Sequence, residues 1–175
     1  TKICALVGRV EEDNPIRIMG VGIEPSDGIR KGIIVDLAAA TQAIARSVKK
    51  AESTSGLEIT SALVSIAGAH VASVNSRGAS AVNGKVIEQY DLNHAMEQAR
   101  AVAIPNDREI IHVIQRGFSV DGQDGIRSPR GMHGYRLEVE AHIITASAAT
   151  VDNLRHCVSA SGVKIDPRNC IGCDT

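Results

Sequence analysis

The run YRLEVEAHIITA, residues 135–146, limits the possible folds of this chain more than any other stretch. It alternates apolar and polar residues at first and then turns continuously apolar, as a strand does when it passes from a half-exposed to a buried setting. Its length lets it leave one section of a fold and enter another. The residues before it read as two different sections. A strand joining them makes the second section an insertion and the first one discontinuous.

The first section opens with two apolar, β-rich runs, residues 2–9 and 16–24, separated by EEDNP, with Asn14-Pro15 as the breaker. PSDGIRKG follows as a loop. Asp36 then stands as an N-cap before a helix whose apolar positions Leu37, Ala40, Ile44, Val48 and Ala51 share one face, with Lys49 and Lys50 placed to offset the negative end of its dipole. Residues 59–67, ITSALVSIA, read as a strand buried on both faces.

After Gly68 the texture changes. Residues 71–82 alternate as a half-exposed strand, and Asp91 is expected to cap a second helix with apolar face Leu92, Ala95, Met96, Ala99 and Val102. A strand over 109–120, a long glycine-rich polar loop and the strand 135–146 complete a strand-helix-strand-strand order. Val151, Leu154 and Val158 mark a third helix, expected to pack on the first sheet and to be closed by Gly162, before a last strand in GVKID.

Composition removes several function classes. Aromatic residues make up only 2% of the 175 residues, so the core is aliphatic and base stacking has almost nothing to work with. A net charge of −1 provides no basic field for nucleic acid or an anionic membrane. No apolar run reaches the about 18 residues of a membrane span. A secretory leader is also missing, which points to a reduced, cytoplasmic setting. The chain reads as an excerpt from something longer, since Thr1 enters directly into a strand and DPRNCIGCDT ends without further pattern.

Chemistry-bearing residues are scattered. His112 and His142 lie in strands that can pair, but no third ligand stands beside them at metal spacing. Cys170 and Cys173 form one C-I-G-C with no second pair, a weak zinc signal, and Cys4 and Cys157 sit at apolar positions. No nucleophile elbow or Walker-type loop is present, although Arg30 and Lys31 in SDGIRKG could hold an anion. Asp107, Asp121 and Asp124 are turn residues. A half-exposed sheet with a polar hairpin and no reactive cluster reads as an interaction surface.

Three stretches resemble one family. SIAGAHVASVNSRGASAV is similar to the crossing into the inserted subdomain of the bacterial cell-division FtsA family, which are actin-like ATPases. GIEPSDGIRKGIIVDLAAATQAI resembles that family's hairpin exit, loop and first helix. EIIHVIQRGFSVDGQDGIRSPRGMHGYRLEVEAHIITA resembles its most recognisable block in order, spacing and length. Gln115 departs from the family, which commonly has proline there, and the tail from Pro167 does not follow the pattern. The resemblance implies an α/β fold: part of an actin-like (ribonuclease H-like) subdomain over 1–69 and 144–175, with an inserted strand-helix-strand-strand (SHS2) subdomain over 70–143.

It also implies a division scaffold that links the FtsZ ring to the membrane, recruits later division proteins and self-associates into polymers. Such a protein lies at the cytoplasmic face of the cell membrane at the division site, attached by a C-terminal amphipathic helix that is not in this sequence. ATP and magnesium bind in the full-length family's cleft. Here only Thr1 and Lys2 match the end of its first phosphate hairpin, so this chain alone is expected neither to bind ATP well nor to hydrolyse it. Arg77, Asp121, Gln123, Arg127 and Arg130 are the expected exposed contact residues. A pilus-assembly adaptor of the same fold is the nearest alternative, followed by a stand-alone ligand-binding or enzyme domain.

Overall fold

The computed structural model describes residues 2–11 and 14–166, which divide into two units, residues 2–70 with 148–166 and residues 71–147. In the first unit, Lys2–Glu11 (β1) and Asn14–Pro25 (β2) pair antiparallel, with Lys2 opposite Pro25. Leu37–Ser55 (α1) packs on β2. As expected, Asp36 is its N-cap and accepts from the Ala39 N–H at 3.0 Å.

The buried line of α1 is made of small residues, Ala40, Ala43, Ser47 and Ala51 beside Ile44, because the helix comes unusually close to the strand. A Cβ added to Gly22 would stand 1.8 Å from the Ser47 carbonyl oxygen. Overpacking of this kind costs about 1–3 kcal/mol, occasionally more. The contact is also polar: the buried Ser47 Oγ donates to the Gly22 carbonyl at 2.9 Å, and the Val21 N–H donates to Thr54 Oγ1 at 3.0 Å.

The helix runs further than its lysines suggest. With α1 ending at Ser55, Lys49 and Lys50 lie inside it and not in its last turn. Lys50 serves a different purpose. It and Arg46 flank the carboxylate of Glu24 near the end of β2, with Arg46 Nε at 3.0 Å and Lys50 Nζ in direct contact. The Glu24 side chain is only 8% exposed, so the two cations compensate a nearly buried charge.

Two expectations for this unit change. The PSDGIRKG loop holds a miniature hairpin, Ile29–Arg30 (β3) with Ile33–Ile34 (β4). The strand expected over 59–67 is reduced to Ser61–Ala62 (β5), and Leu63 beside it is 58% exposed. Its neighbour among the described residues is Lys164–Ile165 (β10), paired parallel over two residues, so one side of the run lacks a ladder to extend it. Ala148–Ala160 (α3) packs on α1, where Cys157 and Val158 join Ala40 and Ile44 in one cluster. Gly162 follows α3 in the left-handed region (φ 92°), as expected of its closing residue.

The second unit is an antiparallel four-stranded sheet. Its spatial order is Ala72–Ala81 (β6), Arg136–Ser147 (β9), Arg108–Val120 (β7) and Gln123–Ile126 (β8). β9 is the centre: Leu137, Val139, Ala141 and Ile143 are fully buried on one face. All of β9 pairs within this unit and the chain turns into α3 at Ala148, so the long strand does not itself re-enter the first unit.

Gln89–Arg100 (α2) lies against β6 and β9. Asp91 is not its N-cap. Glu88 holds that position, and its N–H donates to Asp91 Oδ2 at 2.9 Å, so Asp91 acts from the third helical position. The close approach seen under α1 recurs here, since a Cβ on Gly78 would lie 2.0 Å from the Ala95 carbonyl.

The Glu24 cluster has a pH signature. Hydrogen bonds from Lys50 and then Arg46 hold its carboxyl below the ordinary 4.5. A depressed folded-state pKa stabilises the fold above the unfolded-state value, and that stabilisation is lost as pH falls through the folded one. Thermal melts followed by circular dichroism should therefore show Tm falling as pH drops below 4.5. Glu24→Gln should lower Tm at neutral pH and flatten that acid limb; an unchanged limb would remove Glu24 as its source.

Candidate interaction surface

Arg127 and Arg130 are brought together by a loop that is held firmly at both ends. On the β7 side, Asp121 and Gly122 both adopt positive φ (50° and 81°) between Val120 and Gln123, the geometry of a tight two-residue hairpin. β8 therefore occupies part of what reads in sequence as one long polar loop. The rest is laced to residues 82–87: Val82 N–H donates to Tyr135 O, Gly84 N–H to Gly134 O and Ile87 N–H to Met132 O, each at 2.8 Å. Pro129 is fully buried, so the arginines on either side of it point out of an anchored segment.

These arginines form one wall of a groove of about 450 Å³. The opposite wall is a stripe of α2 that includes Gln89, Asn93, Glu97 and Arg100, residues at the three- and four-residue spacing of one helix face. Leu92, Met96, Val113 and Phe118 supply the apolar surface between them. Both Val113 and Phe118 are buried on the same side although an odd number of positions separates them; an irregularity between Gln115 and Gly117 restores the parity. Gln115, the departure from the family pattern, sits beside that bulge and lines the groove.

The other expected contact residues lie apart. Arg77 is exposed on β6, in register with Glu140 of β9 and on the opposite parity from Gly78, which faces α2. Gln123 is exposed at the start of β8. Asp121 is exposed too, but its carboxylate accepts from the N–H groups of Tyr135 (2.9 Å) and Arg136 (2.8 Å) and so ties the hairpin to β9. Lys2 is exposed at the start of β1, and Thr1, Cys170 and Cys173 lie outside the described residues. Arg30 and Lys31 are exposed on the β3–β4 hairpin. His142 Nδ1 lies 2.6 Å from Asn75 Oδ1, and among the described residues no three His, Cys, Asp or Glu side chains gather as metal ligands.

Residues 68–145, which hold this sheet, helix and groove, match the family described as the SHS2 domain inserted in FtsA. Residues 68–145 carry this SHS2 domain, and nearly the whole chain is similar to FtsA proteins. It is 43% identical over 168 residues to the cell division protein FtsA of Borreliella burgdorferi, covering 95% of this chain and 41% of that protein. It is 36% identical over 166 residues to FtsA of Pseudomonas aeruginosa (95% and 40%) and 36% over 162 residues to FtsA of Bacillus subtilis (91% and 37%). The chain thus spans about two fifths of the length of these curated relatives. Among solved structures, a chain of a PilM-PilN type IV pilus biogenesis complex matches with a TM-score of 0.60 at 11% identity, over 97% of this chain and 44% of that one. That likeness is one of fold. It agrees with the α/β, actin-like architecture with its SHS2 insertion.

Arg100, Gln89 and Asn93 carry no distinguishing signal in the sequence, because periodicity marks the apolar face of α2 and not the polar stripe beside it. The Asp121 tie carries a stability prediction. At this exposed position water can replace the carboxylate, so each hydrogen bond contributes a net of about 0.5–1.5 kcal/mol. Asp121→Ala should therefore lower Tm measurably, whereas Gln123→Ala, on the same hairpin, should leave it within error. Equal melts for both variants would show that the carboxylate does not hold the hairpin.

Proposed function

We propose that this chain is the part of an FtsA-type division scaffold that carries the protein-interaction subdomain, residues 71–147. The observation that carries this reading is the match of residues 68–145 to the SHS2 domain inserted in FtsA, supported by curated FtsA relatives, among them one 43% identical. In this reading the whole protein links the FtsZ ring to the membrane, recruits later division proteins and self-associates into polymers. It works at the cytoplasmic face of the division site. No helix among the described residues is long and apolar enough to cross a membrane, and attachment belongs to the family's C-terminal amphipathic helix. A pilus-assembly role has the fold likeness in its favour, but at 11% identity that likeness speaks for architecture alone.

The resemblance implies ATP with magnesium in the cleft of the full-length family. Of the residues proposed to touch it, Lys2 is described, and it is one exposed cation at a strand end. That is too little to fit a nucleotide, and no step through ATP is derived from it. The remainder of the site lies in the three fifths of the relatives that this chain does not span. Nucleotide binding is then a property of the longer protein.

Two measurements test the reading. A fluorescent fusion of the protein in its host bacterium should gather at the constriction site, and depletion should give filamentous cells; diffuse fluorescence with normal division would overturn the scaffold role. Titrating the 175-residue chain with ATP and magnesium should leave its Tm unmoved. Stabilisation of about 2.7 kcal/mol at a hundredfold excess over Kd, the amount expected of any ligand selective for the folded state, would overturn the split nucleotide site.

A further inference from the structure

The sheet of residues 71–147 is four strands wide, but α2 packs on β6 and β9, so a stretch of the same face on β7 is left open beside the helix. We infer that the resulting groove docks an acidic peptide segment of a partner protein, one that carries an apolar side chain next to its carboxylates. The inference rests on the reading of this unit as an interaction module and deepens it by naming the chemistry of what it takes.

Charge is the first support. Arg100, Arg127 and Arg130 line the groove against a single acid, Glu97. Among the described residues, Arg46, Arg136 and Arg155 each have a carboxylate partner, whereas none of the three groove arginines is in an ion pair. Arg100 stands in the last turn of α2, where a cation also offsets the helix dipole. The two loop arginines have no such local use. Guanidinium groups are well suited to carboxylates because they can bind both oxygens at once.

The floor and walls add the rest. Leu92 and Met96 are only partly buried, so apolar surface faces the opening, and methionine adapts to side chains of varied shape. The carboxamides of Gln89, Asn93 and Gln115 offer donors and acceptors for a peptide main chain. The loop that presents Arg127 and Arg130 is already ordered by buried Pro129 and by the Gly131 N–H donating to Ile87 O at 3.0 Å, which reduces the entropy lost on binding. Nucleic acid fits less well. Phe118 is the one aromatic ring lining the groove and is 7% exposed, so there is no stacking platform.

The test uses fluorescence anisotropy with the 175-residue protein and three labelled short peptides. One alternates glutamate with leucine, the second replaces leucine with glutamine, and the third replaces glutamate with lysine. The glutamate-leucine peptide should bind, the other two should bind about tenfold more weakly or not at all, and rising salt should weaken binding. Arg127→Glu with Arg130→Glu should reduce affinity about tenfold or more. Lys85→Glu, a reversal on the same unit outside the groove, should leave it unchanged, and far-UV spectra and Tm should match the parent. Equal binding of the lysine or glutamine peptide, an unaffected double variant, or no binding at all would overturn the groove assignment. If the groove fails while the fluorescent fusion still gathers at the constriction site, the division role stands alone; if the fusion is diffuse, that role falls whatever the peptides do.

Discussion

Both units of this protein depend on a helix backbone set directly against a strand backbone at a glycine. Under α1 the position is Gly22, facing Ser47 and Ala51; under α2 it is Gly78, facing Ala95 and Ala99. Each needs small residues on the helix and no side chain on the strand. A chain with so few aromatic rings cannot fill a wide gap between helix and sheet with large side chains. Close approach, with many short van der Waals contacts between Ala, Ser and Gly, is the packing open to it.

The same constraint shapes the surface. A helix seated tightly over Gly78 sits above β6 and β9, and the next strand of the sheet emerges beside it. β7 then uses one bulge, between Gln115 and Gly117, to keep Val113 and Phe118 on one face despite an odd spacing, so the floor beside α2 stays apolar. The anchored loop over 127–130 closes the other side. The groove is thus a consequence of how one narrow helix covers a wider sheet, and its charge comes from residues that the core does not use.

In the first unit the close contact is reinforced by polar groups. Ser47 and Thr54 bond to the β2 backbone, and Glu24 is nearly buried between Arg46 and Lys50. A buried carboxylate is a poor source of net stability by itself. Its value here is positional, since it pins β2 to the helix in one register. Lys50 therefore matters through a strand distant in sequence, and not through the helix dipole.

Most of the fold was legible in the sequence because it depends on local periodicity. The two helices and the strands 71–82, 109–120 and 135–146 follow from the spacing of apolar residues along a short stretch, and the Asp36 cap from its residue type. The helix faces differ in detail: Leu37 of the expected α1 face is 45% exposed, Ala43 and Ser47 join that face instead, and Val102 lies past the end of α2. The resemblance to FtsA proteins was legible too, since the matching blocks keep their order and length. What sequence could not decide depends on pairs far apart. The run 59–67 looks like a buried strand until its short partner at 164–165 is placed, and Asp121 reads as a turn residue and exposed contact until Tyr135 and Arg136, distant in sequence, donate to it. Arg127 and Arg130 stood out as exposed charges, but only tertiary structure set Arg100 across from them, because a groove is a relation between three elements and local sequence patterns describe one at a time.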